Sequence, residues 1–178
     1  MFQDKVAVVT GGAQGIGRCI AGEFRKNGAR VCVIDKQPGA GFTGDVADET
    51  TLRRFAETVI AECGHVDFLI NNALPPMRGI DECTWEEFNY ALRVGVSAPF
   101  YLTKLFLPHF APGAAIVNIS SSRDRMSQPQ TESYTAAKGG IAEMCIRDRG
   151  KNGSRTAGQQ RVIRRAGQHL IHVFRRIA

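Results

Sequence analysis

The sequence has no long hydrophobic run and no cluster of metal-ligating residues. Its 178 residues are 43% hydrophobic and 8% aromatic, with one tryptophan and five cysteines. The most apolar stretch, residues 95–110, contains Lys104 and two prolines, which argues against a membrane-spanning helix. The cysteines are odd in number, widely spaced and free of any CxxC pattern, so we expect neither a disulfide framework nor a zinc site. These absences predict a cytoplasmic protein without metal or membrane contact.

The positive charge is confined to the end of the chain. The formal net charge is +6. Residues 1–144 contain 14 Lys/Arg and 16 Asp/Glu, whereas residues 145–178 contain 9 Lys/Arg and one acid. Nucleic acid is therefore not an expected partner of the first 144 residues, because a binding face needs clustered basic side chains.

Candidate strands and helices alternate through residues 1–144. Runs of β-branched and apolar residues predict buried strands, and apolar positions three or four apart predict the helices between them. This alternation is typical of an α/β fold, a doubly wound parallel sheet of the Rossmann-like kind. The predicted strands are residues 5–10, 30–34, 66–70 and 115–120. The predicted helices begin near Ile16, Asp48, Thr84 and Tyr134, with a break near Pro99.

A glycine-rich loop, residues 10–17 (TGGAQGIG), joins the first strand to the first helix. A side chain at Gly11 would obstruct the tight turn, and one at Gly15 would keep the backbone away from a bound diphosphate. A side chain at Gly17 would push the helix off the sheet. The loop favours a dinucleotide site at the helix N-terminus, although an ordinary tight turn has the same composition.

Asp35 ends the second strand 18 residues after Gly17. This is close to the spacing of about 20 at which a carboxylate meets the adenosine ribose. The carboxylate would repel a 2′-phosphate, and Gln14 rather than a basic residue precedes Gly15, so NAD is favoured over NADP. Lys36 is an argument for NADP, and the alternative for Asp35 is a strand-end turn residue.

Tyr134 and Lys138 lie four residues apart, which places them on one face of a helix. The pKa of a free tyrosine is about 10, and lowering it by three units takes about 4 kcal/mol of preference for the phenolate. A neighbouring ammonium supplies part of that preference, so the pair is a candidate acid/base. The alternative is a chance pair on an exposed helix.

Taken together, these motifs resemble the short-chain dehydrogenase/reductase family. Besides the glycine loop and the Tyr134/Lys138 pair, the matching segments are Asp45-Val46, Asn71-Asn72-Ala73 and Asn118-Ile119-Ser120-Ser121. The resemblance implies hydride transfer between NAD and a secondary alcohol or ketone, a small-molecule substrate, no metal and a homo-oligomer. It also implies that the helices opening at Thr84 and near Tyr134 form subunit contacts.

The resemblance assigns roles to individual residues. Tyr134 would be the acid/base, Lys138 would lower its pKa and bind the nicotinamide ribose, and Ser121 would orient the substrate oxygen. Ser120 and Ser122 remain alternatives for the serine. The residues expected to bind the cofactor are Gly11, Gln14, Gly15, Ile16, Gly17, Asp35, Asp45, Val46, Asn72, Ala73, Tyr134 and Lys138.

Three positions depart from the family pattern. Gly95 stands where the family usually has an asparagine that positions the lysine, so a proton relay there would use backbone and water. Leu74 replaces the glycine that follows Asn-Asn-Ala. Residues 36–44 are too short for the usual second helix, so an irregular crossover is expected.

The family pattern ends near residue 143. We therefore divide the chain into a Rossmann-like domain, residues 1–144, and a basic tail, residues 145–178, with the fold incomplete at its C-terminal end and one sheet edge open. Residues 144–149 (MCIRDR) resemble a translated sequencing adapter, so a lost reading frame is our hypothesis. As a genuine tail, residues 162–177 have the spacing of a basic amphipathic helix that packs on the sheet or binds lipid or RNA. Competing functions are nucleotide binding without turnover and a basic interaction module.

Overall fold

The computed structural model describes residues 1–124 and 126–144, and the backbone of residues 161–164 and 170–175. The strands are β1 (Val6–Thr10), β2 (Arg30–Asp35), β3 (Phe42–Thr43), β4 (Val66–Asn71), β5 (Phe110–Ile119), β6 (Arg161–Arg164) and β7 (Leu170–Arg175). The helices are α1 (Gly15–Lys26), α2 (Glu49–Cys63), α3 (Trp85–Leu92), α4 (Ala98–Phe106) and α5 (Glu132–Met144). Short 3-10 turns lie at Leu107–His109 and Ser122–Asp124.

The strands form one sheet in the order β3-β2-β1-β4-β5-β7-β6. The first five strands pair in parallel, which confirms the predicted doubly wound sheet. The chain order reverses between β1 and β4, and in folds of this type the ligand crevice opens at that point, beyond the carboxyl ends of the strands.

Two apolar clusters cover the two faces of the sheet. The larger cluster joins α2 and α4 to one face and contains the fully buried Phe55, Leu102 and Phe106. The smaller cluster packs α1 on the other face through Ala21, which is fully buried. Burial on both faces explains why the central strands are continuous apolar runs.

Local signals set the helix boundaries as expected. Asp48 caps α2 by accepting from the Thr51 amide, and the helix ends at Gly64, whose φ is +75°. Thr84 opens α3 with a complete capping box. The predicted break occurs slightly earlier than Pro99, as a π-helical turn at Arg93–Ser97 between α3 and α4. Residues 36–44 form the expected irregular crossover, which contains only β3.

The tail does not have the expected helical form where its backbone is described. The helix predicted for residues 162–177 is wrong, because residues 161–164 and 170–175 are the strands β6 and β7. β7 pairs antiparallel with β5, so the edge of β5 that we expected to be open is hydrogen-bonded. The rest of the tail, including residues 145–149, lies outside the described residues. The lost reading frame stays a hypothesis.

Two large apolar side chains remain at the surface of α3 and α4. Trp85 and Phe100 are exposed, and they lie on the helical segment opening at Thr84, for which a subunit contact remains a prediction. Tyr101 is half-buried and donates from its hydroxyl to Glu49. No helix in the described part of the chain is long and apolar enough to span a membrane.

Candidate active site

A cavity of about 550 Å³ opens at the carboxyl ends of the parallel strands, where the order of the sheet reverses. Its volume is that of a typical small-molecule site. Gly17 and Ser121 are the predicted site residues that do not line it. The predicted residues that line it are Gly11, Gln14, Gly15, Ile16, Asp35, Asp45, Val46, Asn72, Ala73, Tyr134 and Lys138.

The glycine loop has the geometry that its sequence predicted. Gly11 has a φ of +67°, and a Cβ there would lie 2.9 Å from the Ala73 Cα. Gly15 has a φ of +54° and faces open space. A Cβ at Gly17 would overlap the Gly11 carbonyl oxygen and the Asn72 amide nitrogen. Gly17 therefore shapes the site by allowing α1 to approach the loop.

The start of α1 is open to an anion. The N-cap residue, Gln14, makes no side-chain capping hydrogen bond. The first N–H groups of a helix have no intrahelical acceptor and carry the positive end of its dipole. Since Gln14, Gly15 and Ile16 line the cavity, this helix end could hold a phosphate group.

Thr10 and Asn72 fix the glycine loop to the end of β4. The Thr10 hydroxyl accepts from the amides of Asn72 and Ala73, both at 3.0 Å. The Asn72 side chain donates to the carbonyls of Thr10 and Gly11 at 3.0 and 2.9 Å. The bracing role of Thr10 was missed in the sequence, although its place directly before the glycines was a signal for it.

At one end of the cavity, which we call the charged end, Asp35, Lys36, Asp45 and Tyr90 lie close together. Asp35 accepts at 2.9 Å from the Ala13 amide, so it also supports the glycine loop. Lys36 Nζ donates to the Tyr90 hydroxyl at 3.0 Å and lies 3.3 Å from Asp45 Oδ2. Tyr90 in turn donates to Asp45 at 2.9 Å.

The contacts at the charged end stabilise ionised side chains. Burial alone would raise the pKa of Asp45, but hydrogen bonds from the Ala47 amide and Tyr90, together with Lys36, lower it below its usual value. The pKa of Lys36 is raised by its hydrogen bonds to Tyr90 and Asp45 and by their charges. Tyr90 was missed in the sequence, because its role depends on α3 packing beside residues distant in the chain.

At the other end, which we call the tyrosine end, Ser121, Tyr134 and Lys138 come together and are buried. The Ser121 and Tyr134 hydroxyls form a hydrogen bond. Lys138 Nζ lies 5.5 Å from the centre of the Tyr134 ring and donates a short hydrogen bond to the Ile119 carbonyl. The predicted spacing on α5 therefore brings the phenol and the ammonium to one side of the helix.

The pKa values at the tyrosine end differ from the expectation. We expected Lys138 to lower the pKa of Tyr134, but burial raises that pKa, and the opposing influences are the Ser121 hydrogen bond and the charge of Arg123. Burial also lowers the pKa of Lys138 to about 8, against the opposing charge of Asp124. Desolvation disfavours both charged forms.

The hydrogen bonds distinguish the three candidate serines. Ser121 bonds to the Tyr134 hydroxyl and also accepts from the Arg123 amide at 3.3 Å. Ser120 lines the cavity but donates to Asp124 at 3.2 Å. Ser122 lies in the following 3-10 turn. Arg123 was missed in the sequence, because the pattern there gave no reason to separate it from other surface arginines.

Gly95 lies where the π-helical turn touches α5. A Cβ at Gly95 would lie 2.7 Å from the Ala137 Cβ and 3.2 Å from the Pro75 Cγ. Glycine is therefore needed for this close contact, and the asparagine of the family would not fit without moving α5. In the described part of the chain, no three His, Cys, Asp or Glu side chains are grouped to hold a metal ion.

Most of the chain matches known proteins. The family model for short chain dehydrogenases matches residues 5–147. The L-fucose dehydrogenase of Mus musculus is 34% identical over 158 residues, which cover 80% of this chain and 58% of that protein. The chain spans about three fifths of the length of the curated relatives that it matches.

Solved structures have the same fold. A ligand-free SCOR enzyme from Clostridium thermocellum has a TM-score of 0.72 and 34% identity, with 83% of this chain and 65% of that chain covered. A blue fluorescent protein from a metagenomic library, in complex with NADPH, has a TM-score of 0.75 and 26% identity, with 80% and 66% covered. The sheet order, the glycine loop and these matches agree, and the chain belongs to the short-chain dehydrogenase family.

Proposed function

We propose that this chain forms the cofactor-binding and catalytic part of an NAD-dependent oxidoreductase that interconverts a secondary alcohol and a ketone. The observation that carries the proposal is that Tyr134 and Lys138 line the same cavity as the glycine loop, with the buried Ser121 hydrogen-bonded to Tyr134 directly behind the cavity wall. A donor and acceptor pair at the wall of a cofactor cavity is the arrangement that proton transfer to an alcohol oxygen requires.

The glycine loop and the start of α1 would hold the cofactor diphosphate. Gly15 leaves open space at the cavity wall, and the amides that follow it supply donors. Asp35 has lone pairs beyond those used by its backbone partners, so it would accept from the adenosine ribose hydroxyls. Val46, Ala73 and the backbone of Asp45 would border the remaining length of the cofactor.

The chemical step divides between the cofactor and the protein. A nicotinamide cofactor, when bound, would supply hydride transfer at the substrate carbon. Ser121 would hold the substrate oxygen, and Tyr134 Oη would pass the proton to or from it. Because burial raises the pKa of Tyr134, its phenolate would depend on the Ser121 hydrogen bond and the charge of Arg123, which act against burial.

A second cavity would complete the proton path. It has a volume of about 10 Å³, close to the space that one water molecule needs, and Lys138, Gly95 and Asn71 line it. Asn71 Oδ1 is buried and, within the residues the structure describes, has no hydrogen-bond partner. A water there would accept from Lys138 and donate to Asn71, so the relay would not need an asparagine at position 95.

The charged end supports NAD over NADP in this proposal. Asp35 would repel a 2′-phosphate. Lys36, the cation that could favour NADP, is already paired with Asp45 and Tyr90. A similar structure holds NADPH, so the preference must be measured for this chain.

The proposed partners are a small-molecule alcohol or ketone and a second copy of the chain. The polar groups at the tyrosine end suit a small hydroxylated substrate, and a relative is named L-fucose dehydrogenase. The exposed Trp85 and Phe100 on α3 and α4 would lie in the contact between copies.

The test is NAD titration by calorimetry, followed by oxidation of a panel of secondary alcohols monitored by the absorbance of reduced nicotinamide. Tyr134→Phe is the matched control, because it removes one hydroxyl and keeps the ring. We expect it to bind NAD within about twofold of the parent and to lose turnover by about 10³-fold. NAD binding without reduced cofactor from any alcohol, and without ketone reduction by NADH, would favour the alternative of a nucleotide-binding protein without turnover.

A further inference from the structure

Two cysteines distant in the sequence meet between β2 and the C-terminal end of α2, outside the cofactor cavity. Cys32 lies on β2, and Cys63 is the last residue of α2. Their sulfur atoms are 3.7 Å apart, and both side chains are partly exposed. The two residues are 31 positions apart in the chain, so the tertiary fold and not the local sequence brings them together.

We infer that Cys32 and Cys63 form a dithiol site that a low-molecular-weight disulfide, such as oxidised glutathione, converts to an intramolecular disulfide. A disulfide bond is about 2.05 Å long, so the sulfur atoms must approach by about 1.7 Å. Cys63 is at the end of α2, followed by Gly64 with a φ of +75°, so this movement does not disturb the interior of a helix. Partial exposure gives the oxidant access to the pair.

The reaction balances as two thiol–disulfide exchanges. Burial and the neighbouring Cys63 raise the pKa of Cys32 to about 12, so the first attack on the oxidant falls to Cys63. That attack releases one glutathione and leaves a mixed disulfide on Cys63. The Cys32 thiolate then attacks the Cys63 sulfur of the mixed disulfide and displaces the second glutathione. Two protein thiols are oxidised, and one oxidant disulfide is reduced to two thiols.

The bond would close a covalent ring that contains three of the four residues of the charged end. The ring comprises residues 32–63 and includes Asp35, Lys36 and Asp45, together with α2. Oxidation would therefore hold the middle of β2 to the C-terminal end of α2 independently of any bound cofactor. In a reducing compartment the pair remains as thiols, which agrees with the expectation that the protein has no permanent disulfide.

The test treats the folded 178-residue chain with oxidised glutathione, blocks free thiols with iodoacetamide before unfolding, and analyses tryptic peptides by mass spectrometry. All five cysteines fall in different tryptic peptides. We expect residues 31–36 to be linked to residues 55–78, and the link to be absent in Cys32→Ser and Cys63→Ser. Cys19→Ser is the matched control and should keep the link, because Cys19 is exposed on α1.

A second measurement is the melting temperature of the oxidised chain. Closing the ring should raise it, because the disulfide restricts the unfolded chain, and the same treatment should leave the Cys32→Ser variant unchanged. Glutathione on either cysteine without the internal link, or a link from either cysteine to another peptide, would overturn the inference. A link that lowers the melting temperature would overturn it as well, because the folded chain would then not accommodate the bond.

Discussion

The two ends of the cavity differ in whether they stabilise the ionised or the neutral forms of their side chains. At the charged end, the pKa of Asp45 is lowered and that of Lys36 is raised, so the contacts stabilise the ionised forms. At the tyrosine end, the pKa of Tyr134 is raised and that of Lys138 is lowered, so burial stabilises the neutral forms. One end is thus suited to holding a ligand with fixed charges, and the other to moving protons.

The largest effect is expected from a substitution that disturbs the glycine loop. Gly17→Ala should destabilise the protein by about 3 kcal/mol or more, because its Cβ would overlap the backbone of the glycine loop. Gly22→Ala, in the same helix but facing open space, should stabilise it by about 0.5–1 kcal/mol. Urea denaturation measures both, and equal midpoints for the two variants would show that α1 does not contact the loop this closely.

The second prediction tests the burial of Lys138 at the tyrosine end by measuring folding stability against pH. The pKa of Lys138 is about 8 in the folded chain and is expected near 10.4 in the unfolded chain. Between these values the unfolded chain binds the additional proton, so folding stability rises with pH. Relative to Lys138→Met, the parent should gain stability, by up to about 3 kcal/mol, as the pH rises from 7 to 10.5.

The control for this titration is Lys104→Met, which removes an exposed lysine from α4. Its stability should follow the parent at every pH, since only the buried ammonium is at issue. If Lys138→Met also follows the parent from pH 7 to 10.5, Lys138 is solvated and the contrast between the two ends of the cavity is wrong.

A smaller effect is expected at the charged end. Asp35→Ala should weaken NAD binding by about 10–100-fold, the loss expected for hydrogen bonds to a charged group. NADP binding should not weaken, because the repelled 2′-phosphate regains access. Calorimetric titration with both cofactors measures the ratio. An equal loss for both would mean that Asp35 acts only by holding the Ala13 amide.

The smallest expected effect concerns Arg123, whose charge lowers the pKa of Tyr134. Arg123→Ala should move the pH profile of kcat to higher pH, since the phenolate loses a stabilising cation. Arg123→Lys keeps the charge and should leave the profile close to that of the parent. A profile that stays in place for Arg123→Ala would show that other groups control the proton of Tyr134.

Features that depend on neighbouring residues were predictable from the sequence. The caps at Asp48 and Thr84 and the turn at Gly11 follow from local backbone chemistry, and the structure has all three. The parallel sheet followed from the alternation of strands and helices. The Tyr134–Lys138 pair also followed, because spacing on a helix fixes which side chains share a face.

Features that depend on packing were not predictable. The direction of the Tyr134 pKa shift was wrong, because spacing shows a neighbouring cation but not the extent of burial. The network of Lys36, Asp45 and Tyr90 joins three segments that only the folded chain brings together. The strand form of the tail was missed, because short apolar segments between arginines fit a helix and a strand almost equally well.

The contact between Gly95 and Ala137 makes the two positions mutually dependent. Because the Gly95 backbone packs directly against Ala137, one residue before Lys138, any side chain added at position 95 displaces the helix that aims the lysine. An attempt to restore asparagine here would therefore need a compensating Ala137→Gly change, and Pro75 would have to yield as well. A substitution at position 95 is therefore expected to require a second substitution at position 137.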